Sequence, residues 1–378
     1  MLFPKLFYFF YFAAMSSLLP FLALYYRQMG LTGRQIGLLG GVSPLVSLAA
    51  VPLWGALADA TQQHKKLMLL ALVLSLAAMV GLSLAPSFPW LMVAVIAFAF
   101  FGAPAMPLVD NTVVELLGER RNDYGKQRLW GAVGWGIVAP IAGEAIERYG
   151  LHWAFYSYFV LMSCVIVVSL YLPVARSSIR PRFFNDLHQL LTNQRWLLFL
   201  LTIFIGSLGL AFVLNFLFLY LGELGASKTL MGLSMTMATL SEVPLWFFAD
   251  QLLCRWGSKG ALVVSLLACF VQGIAYSLMR APWLALLIQL LQGPAFSTMW
   301  AAGVSYAAEI APPGVRATAQ GLFAGVVMGL RSAFGAFIGG VLYDAVGAAM
   351  MFRLGGAAAL AGLLLLVTGR FSGPQNEP

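Results

Sequence analysis

Charge is scarce in this chain. Asp, Glu, Lys and Arg make up 10% of its 378 residues, while 61% are hydrophobic; a soluble domain carries roughly a quarter charged residues. Mean hydropathy is +0.87. This excludes a soluble globular domain and makes the whole chain an integral membrane protein. Cysteine is nearly absent: Cys164, Cys254 and Cys269 form no CxxC pattern and lie in or beside apolar spans. Free thiols are expected, with no disulfide framework, no metal site and no cofactor. There is no P-loop, no HExxH and no Ser-His-Asp constellation, so nothing points to an ATPase or an enzyme. Strand-like alternation is missing too, which excludes a β-barrel. The net charge of +8 does not imply nucleic acid as a partner, because basic residues of a polytopic membrane protein collect in cytoplasmic loops.

What is present is a series of apolar runs. A membrane helix needs about 20 mostly apolar residues. Twelve fit: 6–26, 34–58, 67–85, 90–117, 127–147, 152–173, 196–220, 229–250, 261–279, 283–308, 317–341 and 351–369. The first run is too long for a signal-peptide core and is read as a retained helix. Prolines inside several spans (Pro44, Pro52, Pro104, Pro107, Pro140, Pro244, Pro294) are tolerated where neighbours satisfy the freed backbone groups. An even number of spans puts both termini on one side. If that side is cytoplasmic, it and its loops hold 15 Lys and Arg against six on the other, with Arg331 inside a span. The positive-inside rule therefore places both termini in the cytoplasm.

The longest polar connection, 174–195, divides the chain into an N-terminal bundle, 1–173, a cytoplasmic linker, and a C-terminal bundle with a short tail, 196–378. Within the linker, Phe183 to Leu191 could lie on the membrane surface. The halves look like repeats. Asp59 and Asp250 are offset by 191, as are Gly102 and Gly293; Gly143 and Gly150 fall on Gly340 and Gly347 at an offset of 197. Such duplication is common in secondary transporters, whose sites lie near mid-membrane where the repeats meet.

Ionisable groups inside apolar spans mark a pathway or site and have partners. In Gly102 to Trp135, Asp110 lies nine residues before Glu119 and Arg128 nine after it. A helical hairpin turning there puts both at similar depth, either as a site or as a structural pair. Arg128, Gly131 and Trp135 follow i, i+3, i+7 and share a helix face. Arg offers a planar fork for hydroxyl pairs or carboxylates, and an indole offers an apolar platform with one donor. Glu242 stands eight residues before Asp250, about 12 Å along a helix, where it suits proton uptake and release. Arg331, at the 197 offset from Gly134, is its candidate partner, or a receptor for an anionic group of a solute. Asn111, Asn215, Gln292 and Ser297 are further cavity candidates, and Tyr25 and Tyr26 are either solute contacts or an aromatic belt. The aromatic run Phe7 to Phe12 reads as lipid-facing, and His152 and His188 as loop or boundary residues.

A family resemblance rests on LPFLALYYRQMGLTGRQIGLLGG (19–41), GALADATQQHKK (55–66) and RRNDYGKQRLWGAVGW (120–135), with SEVPLWFFADQLLCRWG (241–257) and AEIAPPGVRATAQGL (308–322) in the second half. With these residues the chain resembles the major facilitator superfamily over essentially its whole length. Within it, the first half resembles the lactose permease (oligosaccharide:proton symporter) group and the phenylpropionate-permease-like group. The implied fold is all-α and integral to the membrane, with twelve transmembrane helices in two pseudo-symmetric six-helix bundles.

The resemblance implies a secondary active transporter of the cell (inner) membrane that works by alternating access. Expected is proton-coupled symport of a small polar or anionic organic solute: a sugar, an aromatic acid or another organic anion. Proton-driven efflux of amphipathic compounds and a non-transporting solute receptor are the alternatives. The partners are then the solute, protons and membrane lipid, and the chain is expected to be a monomer. Asp110, Arg128 and Trp135 match substrate-binding positions of the lactose permease group; Glu242 and Arg331 join them, with Glu242 and Asp110 as proton-coupling candidates. Gating falls to Gly55, Asp59, Lys65 and Lys66 in the first half and Asp250 and Arg255 in the second, although Ala60 and Gln63 stand where that pattern often has arginine and glycine. The glycine of this motif would allow close helix approach.

Overall fold

The computed structural model describes residues 2–118, 123–172, 189–312 and 315–369. Most of the linker 174–195, residues 183–188 of the surface segment, His188 and the turn residues Glu119 to Asn122 lie outside them. The described residues form helices and no strand. The first half contains α1 (Leu2–Gln28), α2 (Gly33–Thr61), α3 (His64–Ser83), α4 (Phe88–Gly102), α5 (Ala105–Leu117), α6 (Tyr124–Tyr149) and α7 (His152–Tyr171). The second contains α8 (Gln194–Gly206), α9 (Leu208–Glu223), α10 (Lys228–Phe247), α11 (Ala249–Leu278), α12 (Leu284–Ile288), α13 (Thr298–Ile310), α14 (Arg316–Ala324) and α15 (Arg331–Thr368). Two π turns, Gly293–Ser297 and Gly325–Leu330, lie just before α13 and α15.

These helices account for the twelve expected spans. Ten stretches are long and apolar enough to cross a membrane; the last of them, Thr318–Thr368, holds two spans, and α10 is the remaining one. Breaks fall where the chemistry requires them. Pro104 separates α4 from α5 within the fourth span. Gly347, at φ 79 and ψ 168, turns the chain inside α15; Gly150, at φ 95 and ψ 167, turns it between α6 and α7. The two glycines are related by the 197 offset and share a backbone state that side chains disfavour. Gly257, at φ 65 and ψ 165, breaks α11. Helix therefore runs on to Trp256, and Arg255 lies on it, not in the loop that the sequence suggested.

Contacts divide the chain into two compact units. One comprises Met1–Ile179 and Phe218–Thr239; the other comprises Arg180–Leu217 and Leu240–Pro378. The chain first changes units inside the 174–195 linker, and the segment Phe218–Thr239 groups with the first unit. In the first unit α1 packs along α6 and α7. An added Cβ at Gly134 of α6 would collide with the Phe9 carbonyl of α1, so glycine permits backbone contact there. Phe7 and Tyr8 are wholly buried, which corrects the lipid-facing reading at those two positions. Tyr25 and Tyr26 are buried too, and the Tyr25 hydroxyl donates to the Ser83 carbonyl at 3.3 Å.

The segment Phe218–Thr239 lies on α1 and α6. Phe218 meets Phe21 edge-on at 5.0 Å, and Gly232 and Gly143 sit at the crossing of α10 and α6, where a Cβ on either would strike the other helix's backbone. Glu147 accepts the Lys228 N–H at the start of α10, and Glu144 accepts the Thr229 hydroxyl. The second unit has its own core, in which Trp196, Phe199, Leu266, Met299, Phe323 and Val327 are among the buried side chains.

Candidate functional site

The hairpin charges meet. Asp110 on α5 and Arg128 on α6 form an ion pair in which Nη1 donates to Oδ1 at 3.0 Å and to Oδ2 at 3.3 Å. Their side chains retain 30% and 40% exposure, so the pair is open rather than sealed. Tyr8 donates its hydroxyl to Asp110 Oδ1 at 2.6 Å. The Arg128 guanidinium lies 5.6 Å from the Tyr8 ring centre and 5.4 Å from that of Phe12, distances at which a cation is attracted by the ring face. Gly131, one turn on, also packs on Phe12, so Arg128 and Gly131 share the face expected from their spacing. Trp135 is half-buried and makes no ring, hydrogen-bond or cation–π contact with the pair. Sequence reasoning missed Tyr8 and Phe12. No motif marks them; their seven- and three-residue separations from Met15 and other core residues carry no polar signal.

The second unit holds two intramembrane charges without an ion-pair partner among the described residues. Glu242 is half-buried on α10. Its backbone and the Ser241 carbonyl press on Gly293, at the start of the first π turn, where a Cβ would not fit. The Gly293 N–H donates to the Ser241 hydroxyl oxygen at 3.0 Å. Arg331 is only 4% exposed. Its Nε donates to the Val327 carbonyl in the second π turn at 2.8 Å, and Nη2 donates to Ser332 Oγ at 3.3 Å. Nη1 has no hydrogen-bond partner. The direct Glu242–Arg331 pair expected from sequence is therefore not formed. Nearby, Gln272 donates to Gln292 at 3.1 Å, and Ser265 donates to the Ala295 carbonyl at 2.8 Å within the π turn. Gln289 Oε1 and Ser297 Oγ are buried without partners. Asn215 donates to its own helix at Ala211, while Asn111 is exposed. π turns displace backbone groups from helical pairing and recur at functional sites.

The gating candidates divide by half. Asp59 contacts His64, the first residue of α3, at 3.3 Å, so a carboxylate stands at a helix N-terminus, where it is favoured. Lys65 donates to the Leu170 carbonyl at 2.7 Å, at the C-terminal end of α7. Lys66 is exposed. Gly55 departs from expectation: a Cβ there would meet nothing within 4 Å, so no close helix approach depends on it. Asp250 and Arg255 are exposed and hold no ion pair among the described residues. Glu309, which sequence reasoning passed over, accepts hydroxyls from Ser258, just after the Gly257 break, and from Ser305. An acid at the end of the tenth span was its signal. All three cysteines are free.

Comparison with known proteins agrees with this architecture. The model of the MFS_1 like family matches residues 2–354. The chain is 28% identical to the maltose permease of Geobacillus stearothermophilus over 353 residues, 92% of this chain and 89% of that one. It is 26% identical to the probable 3-phenylpropionic acid transporter of Escherichia coli K12 over 355 residues, 90% of each chain. In fold it is similar to the crystal structure of the nucleoside transporter NupG, with a TM-score of 0.87 at 16% identity, covering 97% of this chain and 98% of that one. The match across nearly all of its helices shows that this chain belongs to the MFS_1 like family of major facilitator transporters.

Proposed function

We propose that the protein is a proton-coupled symporter of a small polar organic solute carrying an anionic group, working by alternating access in the cell (inner) membrane with both termini cytoplasmic. The observation that carries this reading is the pair of unpartnered charges in the second unit. Among the described residues Glu242 has no ion-pair partner, which leaves its carboxyl group able to take and release a proton. Arg331 is permanently charged, buried, and paired with no carboxylate. An unpaired buried charge costs several kcal/mol, and an anionic solute would supply the missing partner. Asp110 and Arg128, already paired but open to solvent, offer a polar binding surface in the first unit. The maltose permease and the 3-phenylpropionic acid transporter among the relatives make a sugar and an aromatic acid the first solutes to try.

The test uses purified protein in liposomes, with labelled maltose and 3-phenylpropionate as solutes and an imposed pH gradient. Glu242→Gln should abolish gradient-driven accumulation while leaving counterflow exchange largely intact. Normal uphill uptake by that variant would remove Glu242 from the coupling mechanism.

A further inference from the structure

The Asp110–Arg128 ion pair is lopsided. A carboxylate and a guanidinium left to themselves favour two parallel N–H···O bonds, fork on fork. Here one nitrogen, Nη1, serves both carboxylate oxygens, at 3.0 and 3.3 Å. Nε and Nη2 make no hydrogen bond to Asp110, and the Arg128 side chain keeps 40% of its exposure. The cause lies on α1. The Tyr8 hydroxyl occupies Oδ1 at 2.6 Å, and the Tyr8 and Phe12 rings hold the guanidinium by its face. Tyr8 is itself wholly buried, on a helix seated against α6 through Gly134 and Gly131, so it cannot drift to follow the carboxylate.

We infer that Tyr8 is a positioning residue for solute binding: its hydroxyl holds Asp110 off the second edge of Arg128 and keeps that edge open for the transported solute. This rests on the reading of the pair as solute-binding. The open edge supplies N–H donors beside Asp110 Oδ2, which Arg128 holds only by the 3.3 Å contact, while the Tyr124 hydroxyl of α6 also bonds to the Asp110 carboxylate. A group that both donates and accepts, such as a hydroxyl or carboxamide, fits this arrangement, whereas a carboxylate on the solute would meet the charge of Asp110. Tyr8 does not touch the solute; it acts through Asp110.

The decisive measurement needs neither a solute nor a gradient. Phenylglyoxal, an arginine-selective dicarbonyl, is reacted with the full-length protein, and modification at Arg128 is followed by peptide mass spectrometry. Tyr8→Phe keeps the ring and removes only the hydroxyl. Freed, Asp110 turns square to the fork, and Arg128 modification should slow several-fold. Asp110→Asn should react at least as fast as wild type, and adding Tyr8→Phe to it should change nothing further, because no carboxylate remains to close the edge. Arg128 modification in Tyr8→Phe at or above the wild-type rate would overturn the proposal, as would a slowing that persists in the double variant. The underlying reading is checked apart: uptake of maltose and 3-phenylpropionate by Arg128→Lys, which keeps the charge but loses the fork, should fall sharply. Unchanged uptake there would overturn the solute-binding role even where the labelling behaves as expected.

Discussion

Arg331 shows what a single residue can carry here. A guanidinium cannot shed its charge, and at 4% exposure it is nearly sealed from solvent and pairs with no carboxylate among the described residues. Its hydrogen bonds go to the Val327 carbonyl of the preceding π turn and to the adjacent Ser332. Solute chemistry can be read against that position by comparing 3-phenylpropionate with 3-phenylpropanol, which have the same ring and chain but differ in charge. In wild type the acid should bind more tightly. In Arg331→Ala the acid should lose that advantage while the alcohol is little affected, measured as thermal-shift midpoints across ligand titrations. Equal weakening of both ligands would make Arg331 a structural or coupling residue and favour a neutral sugar. The charged residues themselves were legible in the sequence, since an arginine or glutamate in an apolar run stands out. Their partners were not: Tyr8 and Phe12 look like any other aromatics of a membrane helix until the fold brings α1 against α6.

Helices in a bilayer gain little from excluding water from one another, so their association depends on close packing and interhelical hydrogen bonds. The crossing of α6 and α10 is built this way. Gly143 and Gly232 let the backbones touch, and Glu144 and Glu147 bind the first residues of α10. Glu144 also accepts from Arg148 at 2.6 Å, which fixes its orientation. Gly232→Val should force the helices apart and lower the thermal midpoint in detergent, at a cost of about 1–3 kcal/mol for overpacking. Gly55→Val is the matched control, because its Cβ would enter open space, and it should leave the midpoint nearly unchanged. Similar losses in both variants would show that close approach at Gly232 is not what matters. Helix positions were read well from hydropathy, and the break at Gly347 fell in the expected turn. Hydropathy missed the extension of helix to Trp256, because the charges of Asp250, Arg255 and Lys259 and the glycines Gly257 and Gly260 read as a loop even where the backbone stays helical up to Gly257.

Orientation in the membrane is a property of the whole molecule. The bias of 15 basic residues against six predicts cytoplasmic termini. A green fluorescent protein fused to the C-terminus should be fluorescent in bacteria and an alkaline phosphatase fusion inactive; the opposite pattern would invert the topology and with it the assignment of every loop. Class, span count and the presence of intramembrane charges followed from the sequence alone, because hydrophobic length and the cost of burying ions in lipid are local properties of a chain. Which charges pair was decided only by tertiary structure. Asp110 found Arg128 across a short hairpin, as spacing allowed, but Tyr8 reached it from 102 residues away, and Glu242 and Arg331, matched by depth on paper, remain unpaired. Pairing depends on the rotation of each helix about its axis and on where glycine admits a neighbour's backbone, and neither is written in the hydropathy of a span.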